Sequence, residues 1–332
     1  MRAAIGADLG GTKMAIGVVD AEQNVLYQST ERTLGRDLDQ LLGELESELH
    51  EALRACPQVD AIGIGIPSTI DHRQGKAISS VNLPIVDVPF REVVQQRLDL
   101  PTFLDNDANL AALAEHRFGA AQGATNAVLL TIGTGIGGGL VLGGELYRGS
   151  SGAAAELGHV VIDQAGPPCQ GNCPNRGCVE VLASGTALAK EGRIAGEAHP
   201  GSALGRALAG GEEITGRLVT EAAIAGDGIA VEVVATVGRR LGVALSSLAN
   251  IFDPDVIVIG GGVSAAGDLL LEPAREQLRS RALPPMNETP VRPAALGPDA
   301  GFIGAAEMAL EESGASAQAG QGRSGGAELR GD

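Results

Sequence analysis

Tryptophan is absent from the 332 residues, and the three aromatic types together make up 2% of them. A core built on large rings is thereby excluded, and Ala, Val, Leu and Ile must supply the packing. Basic residues are also scarce: 24 Lys and Arg stand against 41 Asp and Glu, a formal net charge of −17. Such a field repels phosphate, which argues against a nucleic-acid surface. An anionic nucleotide would have to be held locally, by backbone N–H groups and a metal.

Long apolar runs are missing as well. Val256 to Ile259 and Ala127 to Leu130 are of strand length, far short of the ~20 residues that cross a bilayer. The start, Met1-Arg2-Ala3-Ala4-Ile5, reaches Asp8 and paired glycines without the apolar segment of a signal peptide. A cytoplasmic protein with no membrane partner is expected. Cysteine is limited to Cys56 and a crowded set, Cys169, Cys173 and Cys178, a spacing that suggests metal binding more than disulfides.

Glycine, by contrast, is abundant, with 49 residues, and 44% of the chain is hydrophobic. The length suits two domains, each with its own core. Short apolar runs at Ala3 to Ala7, Met14 to Val19 and Val25 to Gln28 predict a β-meander. Helical spacing at Leu41 to Leu53 and a buried strand at Ala61 to Ile66 complete a β-β-β-α-β order. A similar order restarts at Val128 to Ile132 and Gly139 to Leu142, flanking a glycine-rich turn at Gly133 to Gly138, so the chain reads as internally duplicated. A long amphipathic stretch, Ile229 to Ile251, leads into the strand Val256 to Ile259 and then Gly260-Gly261-Gly262, a run suited to close approach by a ligand.

Four motifs carry candidate chemistry. The first, Asp8-Leu9-Gly10-Gly11-Thr12-Lys13, joins two strands. Its glycines open backbone N–H groups to a phosphate, Thr12 and Lys13 add a hydroxyl and a charge, and Asp8 is placed to hold Mg²⁺. An ordinary tight hairpin explains this motif equally well. The second, Thr131-Ile132-Gly133-Thr134-Gly135-Ile136-Gly137-Gly138-Gly139, is a matching glycine turn in the second half. Together the two turns can hold one polyphosphate, although neither is a P-loop. The third, Asp105-Asn106-Asp107-Ala108-Asn109, puts a carboxylate at a strand end, where it can accept a proton from an attacking alcohol, or else simply cap a helix. The fourth, Glu156-Leu157-Gly158-His159 followed by Cys169, Cys173, Cys178 and Glu180, offers a His and three Cys, a closed tetrahedral set of the structural-zinc kind.

Taken together these residues resemble the ROK family (repressor, open reading frame, kinase), from Asp8 to Lys13 through to Gly301-Phe302-Ile303-Gly304-Ala305-Ala306. The resemblance implies an α/β fold of the actin-like ATPase, ribonuclease-H-like type, with two domains flanking a cleft. The implied division is a small domain of residues 1–118 rejoined by about 296–312, a larger one of 119–295 carrying the zinc motif, and a tail of 313–332. That tail, rich in Gly, Ala, Ser and Gln, is expected to be solvated and disordered.

In function the resemblance implies transfer of the ATP γ-phosphoryl group to the 6-hydroxyl of a hexose, glucose first. N-acetylmannosamine or fructose are the runners-up, and polyphosphate is an alternative donor. Asp107 becomes the catalytic base. Sugar contacts fall to Asn82, Asn106, Asp107, Glu156, His159 and Glu180. ATP and Mg²⁺ fall to Asp8, Gly10, Gly11, Thr12, Lys13, Thr131, Gly133, Thr134 and Gly135, with adenine near Gly260, Gly261, Gly262 and Val263. His159 is implied to share its ring between zinc and sugar, with Cys169, Cys173 and Cys178 as the other ligands. A homodimer or homotetramer is expected.

Two features depart from the family's pattern. Cys169-Gln170-Gly171-Asn172-Cys173 is two residues longer than the usual Cys-x-Cys, which leaves Cys169 as the open ligand. Pro67-Ser68 stands where Pro-Gly is usual, which bears on the sugar-side loop. The rival reading within the family is a sugar-responsive regulator; those carry an N-terminal helix-turn-helix segment, whereas here the phosphate loop already begins at Asp8.

Overall fold

The computed structural model describes residues 2–33, 35–80 and 82–324. The described residues fall into two compact units, those within 1–114, 149–153 and 299–324 in one and those within 115–148 and 154–298 in the other.

The first unit is built on β1 (Ala3–Leu9), β2 (Lys13–Asp20) and β3 (Val25–Arg32), then α1 (Leu38–Ala55) and β4 (Ala61–Ile66). Next come β5 (Thr69–Asp71), β6 (Lys76–Ser79), β7 (Val86–Val88), α2 (Phe90–Leu98) and β8 (Thr102–Asn106). The helix α3 (Asp107–Phe118) follows, belonging to this unit as far as Ala114, and α10 (Ala300–Ser324) returns at the end of the chain. The main sheet runs in the order β3-β2-β1-β4-β8, while β5, β6 and β7 make a small separate sheet. β1 pairs antiparallel with β2 and parallel with β4, and β4 is parallel to β8.

Register decides what meets at the sheet's end. Asp8 stands opposite Gly65, and Gly65 opposite Asp105, so the ends of β1 and β8 flank β4 along one edge, as ligand-binding ends do in open α/β sheets. α1 starts with a full capping box, in which the Asp37 carboxylate accepts from Gln40 N and the Gln40 side chain accepts from Asp37 N. Its Leu41, Leu45 and Leu49 are fully buried against the sheet. On the opposite face α10 lies unusually close. A Cβ at Gly6 would run into the Phe302 carbonyl, and one at Gly63 into the Ala305 carbonyl, so backbone rests on backbone.

The second unit repeats the plan. β9 (Ala127–Ile132), β10 (Ile136–Leu142) and β11 (Glu145–Leu146) form a meander. The helices α4 (Val179–Ala183), α5 (Gly185–Ala198), α6 (Ala203–Ala209), α7 (Gly216–Ile224) and α8 (Gly228–Phe252) precede β12 (Val256–Gly260), α9 (Asp268–Arg281) and β13 (Val291–Pro293). The sheet order, β11-β10-β9-β12-β13, matches that of the first unit strand for strand, with the same mixture of antiparallel and parallel pairs. The expected duplication is real. One core of Val, Leu, Ile and Ala joins this sheet to α8, whose buried face includes Val234, Val237, Leu241, Leu245 and Leu248.

Two expectations need amendment. The second glycine turn is shorter than Gly133 to Gly138, because β10 already starts at Ile136, where Gly137 and Gly138 pair with Thr131 and Leu130. Those glycines are strand residues, and the small size of Gly138 admits the Leu157 side chain and the Ala155 carbonyl against the strand. The segment read as an irregular tail from Ser313 is helical as far as Ser324, where Ala and Gln among the glycines favour helix. Residues 325–332 of that expected tail lie outside the described residues. No helix among the described residues is long and apolar enough to cross a membrane.

Adding a methyl group where the helix backbone touches the sheet should overpack it. Gly63→Ala is predicted to cost about 1–3 kcal/mol, whereas Gly43→Ala, at an exposed helical position with open space around it, should stabilise by about 0.4–1 kcal/mol, as read from urea denaturation midpoints.

Candidate active site

In the first unit, β1 delivers Asp8 to a turn closed by a Gly10 N–H donating to the Lys13 carbonyl at 2.8 Å. Thr33 braces that turn, its hydroxyl donating to the Gly10 carbonyl at 2.8 Å and its N–H to the Thr12 carbonyl at 3.2 Å. Gly11 packs on Asn82, where an added Cβ would lie 2.9 Å from the Asn82 Cβ. The turn and the expected sugar contact are therefore neighbours. Ser68, in place of glycine, does not need the left-handed backbone region, and its hydroxyl donates to the Ser79 carbonyl at 2.7 Å. The Pro67-Ser68 departure is thus absorbed as a clamp between β5 and β6.

The capping alternative for the Asp105-Asn106-Asp107 motif turns out to be compatible with the catalytic one. Asn106 caps α3, its Oδ1 accepting from Ala108 N at 2.9 Å and Asn109 N at 3.3 Å. Asp107 is then the first helical residue, half-buried, with Oδ1 accepting from Ala108 N at 2.9 Å. A helix N-terminus suits its negative charge. Burial, and then the charge of Asp107, push the Asp8 carboxyl up to about 7, while Lys13 pulls it down. Two carboxylates crowded in a poorly solvated place are a standing demand for a cation with oxygen-ligand preference, and Mg²⁺ fits.

In the second unit, the turn Gly133-Thr134-Gly135 is met by the start of α5, on which the start of α7 packs. Gly185 N donates to the Gly133 carbonyl at 2.8 Å, and the Thr186 hydroxyl to the Thr134 carbonyl at 2.8 Å. A Cβ on Gly216 would lie 2.6 Å from the Gly185 carbonyl. Ser184 and Thr215 cap α5 and α7. Together these segments line an open cavity of about 830 Å³, whose wall includes Gly133, Thr134, Thr186, Ile214, Thr215 and Gly262. That volume suits a nucleoside-sized ligand, and the helix starts suit its phosphates.

Of the nucleotide contacts expected in this unit, Gly133, Thr134, Gly262 and Val263 line the cavity; Thr131, Gly135, Gly260 and Gly261 do not. Gly260 is the buried last residue of β12, and Gly261 lies against the Ile132 backbone at a φ of 83°. The α5 and α7 residues were missed in the sequence. A Ser or Thr followed by Gly at each helix start, Ser184-Gly185 and Thr215-Gly216, was the available signal.

The His159 and cysteine ligand atoms all lie within 4.8 Å of one another. Cys173 Sγ is 3.9 Å from Cys178 Sγ, and Cys169 Sγ is 3.5 Å from His159 Nδ1. Ligand bonds of about 2.3 and 2.05 Å at tetrahedral angles require edges of about 3.8 Å between sulfurs and about 3.6 Å between sulfur and nitrogen. The set fits zinc, Cys169 included. Its longer spacer is taken up by a turn in which Gly171 has a φ of 59° and the Cys173 N–H donates to the Gln170 carbonyl at 3.4 Å. Burial, followed by the other two thiols, pushes Cys178 up to about 12, so the thiolate state needs a cation beside it.

This cluster joins the pieces that carry the remaining candidates. Glu156 directly precedes the short 3₁₀ turn Leu157–His159, and Cys178 directly precedes α4, which carries Glu180. The His159 Nε2, facing away from the thiols, is 4.0 Å from Glu156. Glu180 has one oxygen already engaged, accepting from Ile136 N at 2.8 Å, and a Cβ at Gly135 would collide with it. It therefore sets the end of the glycine turn.

The ROK family model matches residues 4–312. The chain belongs to the ROK family. The glucokinase of Streptomyces coelicolor is 37% identical over 313 residues, covering 92% of this chain and 97% of that protein. The glucokinase of Thermotoga maritima is 36% identical over 316 residues, 93% of this chain and 98% of its own length. The crystal structure of a ROK family glucokinase from Streptomyces griseus in complex with glucose and AMPPNP superposes with a TM-score of 0.83. It has 36% identity and covers 93% of this chain and 99% of that one. The fold is accordingly the actin-like ATPase fold expected of ROK proteins.

Two outcomes follow from these electrostatics. With a folded-state value near 7 against 3.8 unfolded, Asp8 leaves the fold undisturbed below about pH 4 and weakens it progressively up to about pH 7. In metal-free buffer, Asp8→Asn should raise the melting temperature by about 2 °C or more at pH 8 and leave it unchanged at pH 4, in calorimetric scans. For the thiol cluster, metal analysis should find about one zinc per chain. Stripping it with a chelator should lower the melting temperature by about 5 °C or more, and Cys169→Ser should reproduce that loss.

Proposed function

We propose that the chain is a glucokinase, transferring the γ-phosphoryl group of ATP to the 6-hydroxyl of glucose. The observation that carries this reading is the likeness to a ROK glucokinase described with both glucose and a nucleotide analogue, over 93% of this chain. The cavity beside Gly133 and Thr134 suits adenosine, and the capped starts of α5 and α7 supply N–H groups for its phosphates.

In the proposed mechanism Asp107 accepts the proton of the 6-hydroxyl as that oxygen bonds to the γ-phosphorus and the bond to the bridging oxygen breaks, releasing ADP. Asn106 fixes the helix start from which Asp107 acts, and Lys13, a cation on the same turn as Asp8, would offset the charge developing on the phosphates. Asp8 would hold Mg²⁺, which supplies charge neutralisation at the phosphates when bound. His159, Cys169, Cys173 and Cys178 would hold zinc in a structural role. Asn82, Asn106, Glu156, His159 and Glu180 are the proposed readers of sugar hydroxyls. Glu180 has one carboxylate oxygen committed to Ile136 and would offer the other. In solution the enzyme is proposed to be a homodimer or homotetramer.

Sugar-dependent ADP release tests the activity. Turnover should be strongest with glucose among glucose, fructose, mannose, N-acetylglucosamine and N-acetylmannosamine, and preference for another sugar would keep the kinase and change its substrate. Asp107→Asn should lower kcat by about 10²-fold or more while glucose affinity, measured by calorimetry, changes less than about threefold. Retained turnover in that variant would remove Asp107 from the role of base.

A further inference from the structure

Behind the proposed base lies a buried polar network that the mechanism above does not use. Asp105 is fully buried near the end of β8. An ionised carboxylate in such a place is costly unless hydrogen-bonded and paired. Its Oδ1 accepts from Asn106 N at 2.7 Å and from Asn109 Nδ2 at 2.9 Å, and lies 3.5 Å from His72 Nε2. Asn109 is itself buried, and its own Oδ1 has no hydrogen-bond partner. The amide is thus oriented toward the carboxylate at the expense of its other end, so Asp105 is the fixed point of the network.

His72 comes from the β5–β6 connection and is itself held. Its carbonyl accepts from Arg91 Nη2 at 2.8 Å, and Gly152 packs on the ring, where a Cβ would lie 2.9 Å from Cδ2. The side chain is 25% exposed, so it can be changed without opening the core. Asp107 sits between Asn106 and Asn109, the two residues that Asp105 grips. A shift of Asp105 toward or away from β5 is therefore transmitted to the first turn of α3.

We propose that His72 is a positioning residue for phosphoryl transfer, acting through Asp105 to hold Asp107 in its working geometry. The inference rests on the reading of Asp107 as the base. Loss of alignment at a reacting group depresses the chemical step far more than it depresses binding at a remote contact.

The test is steady-state kinetics on the full chain for the wild type, His72→Ala, His72→Gln, Asp105→Asn and the double variant His72→Ala with Asp105→Asn, with melting temperatures recorded in parallel. His72→Ala should lose about 10-fold or more in kcat with glucose KM within about threefold, and His72→Gln, whose amide can donate to Asp105, should recover most of it. The double variant should be no worse than the poorer single one, because both act on one interaction. Asp105→Asn, nearly isosteric, should show the same kcat-selective loss and keeps the question open to test even if His72→Ala folds poorly. A kcat within twofold of wild type in a folded His72→Ala, an equally impaired His72→Gln, or full additivity in the double variant would overturn the proposal. An active wild type with a dead Asp107→Asn and a normal His72→Ala would refute only the role of His72. A wild type without sugar-kinase activity would overturn both readings.

Discussion

Contact between a helix backbone and a sheet, with no side chain in between, is the constraint on which the first unit depends. α10 can rest on β1 and β4 only because Gly6 and Gly63 present no Cβ to the Phe302 and Ala305 carbonyls. The same seating brings Gly301 against the Asp8 carboxylate, so closely that any larger residue there would meet its oxygen. Beside this contact the fully buried Phe302 ring packs on Gly17 of β2, so a third glycine makes room for one of the chain's few aromatic side chains. A helix from the far end of the sequence therefore forms one wall of the phosphate-loop carboxylate, and the burial that raises Asp8 toward neutrality is partly of its making.

The second unit reaches a comparable precision by other means. Its glycine turn is held by Glu180 from α4 at one end and by Gly185 and Thr186 from α5 at the other. Because Cys178 adjoins α4 and His159 adjoins Glu156, the proposed zinc ties the turn, the helix and the expected sugar contacts to one rigid point. The second half thus rests on bonds to a metal and on caps, where the first rests on bare backbone.

Much of this was legible in the sequence because it is written in local signals. Strands, the α1 pattern, both glycine turns, the Asp105 to Asn109 motif and the His-Cys cluster all announce themselves through periodicity or spacing. What escaped was non-local. The turn and the two helix starts that make the cavity lie roughly thirty to eighty residues apart along the chain, and only close packing of Gly133, Gly185 and Gly216 joins them. The His72–Asp105 pair was equally invisible, since nothing local marks a histidine in a hairpin as the neighbour of a strand-end carboxylate. The second glycine run was misjudged for the opposite reason: glycine was read as a turn where it serves as a thin strand residue.

The matching strand orders carry a further meaning. Asp8 lies two residues before Gly10 on the first strand of its sheet, and Thr131 two residues before Gly133 on the equivalent strand of the other; each pairs with a glycine on the next parallel strand, Gly65 and Gly260. A repeated plan would put the same chemistry in both copies, yet one holds an acid and the other a neutral hydroxyl. The two halves have kept a common skeleton and divided the labour, and the division is visible in a single pair of corresponding side chains.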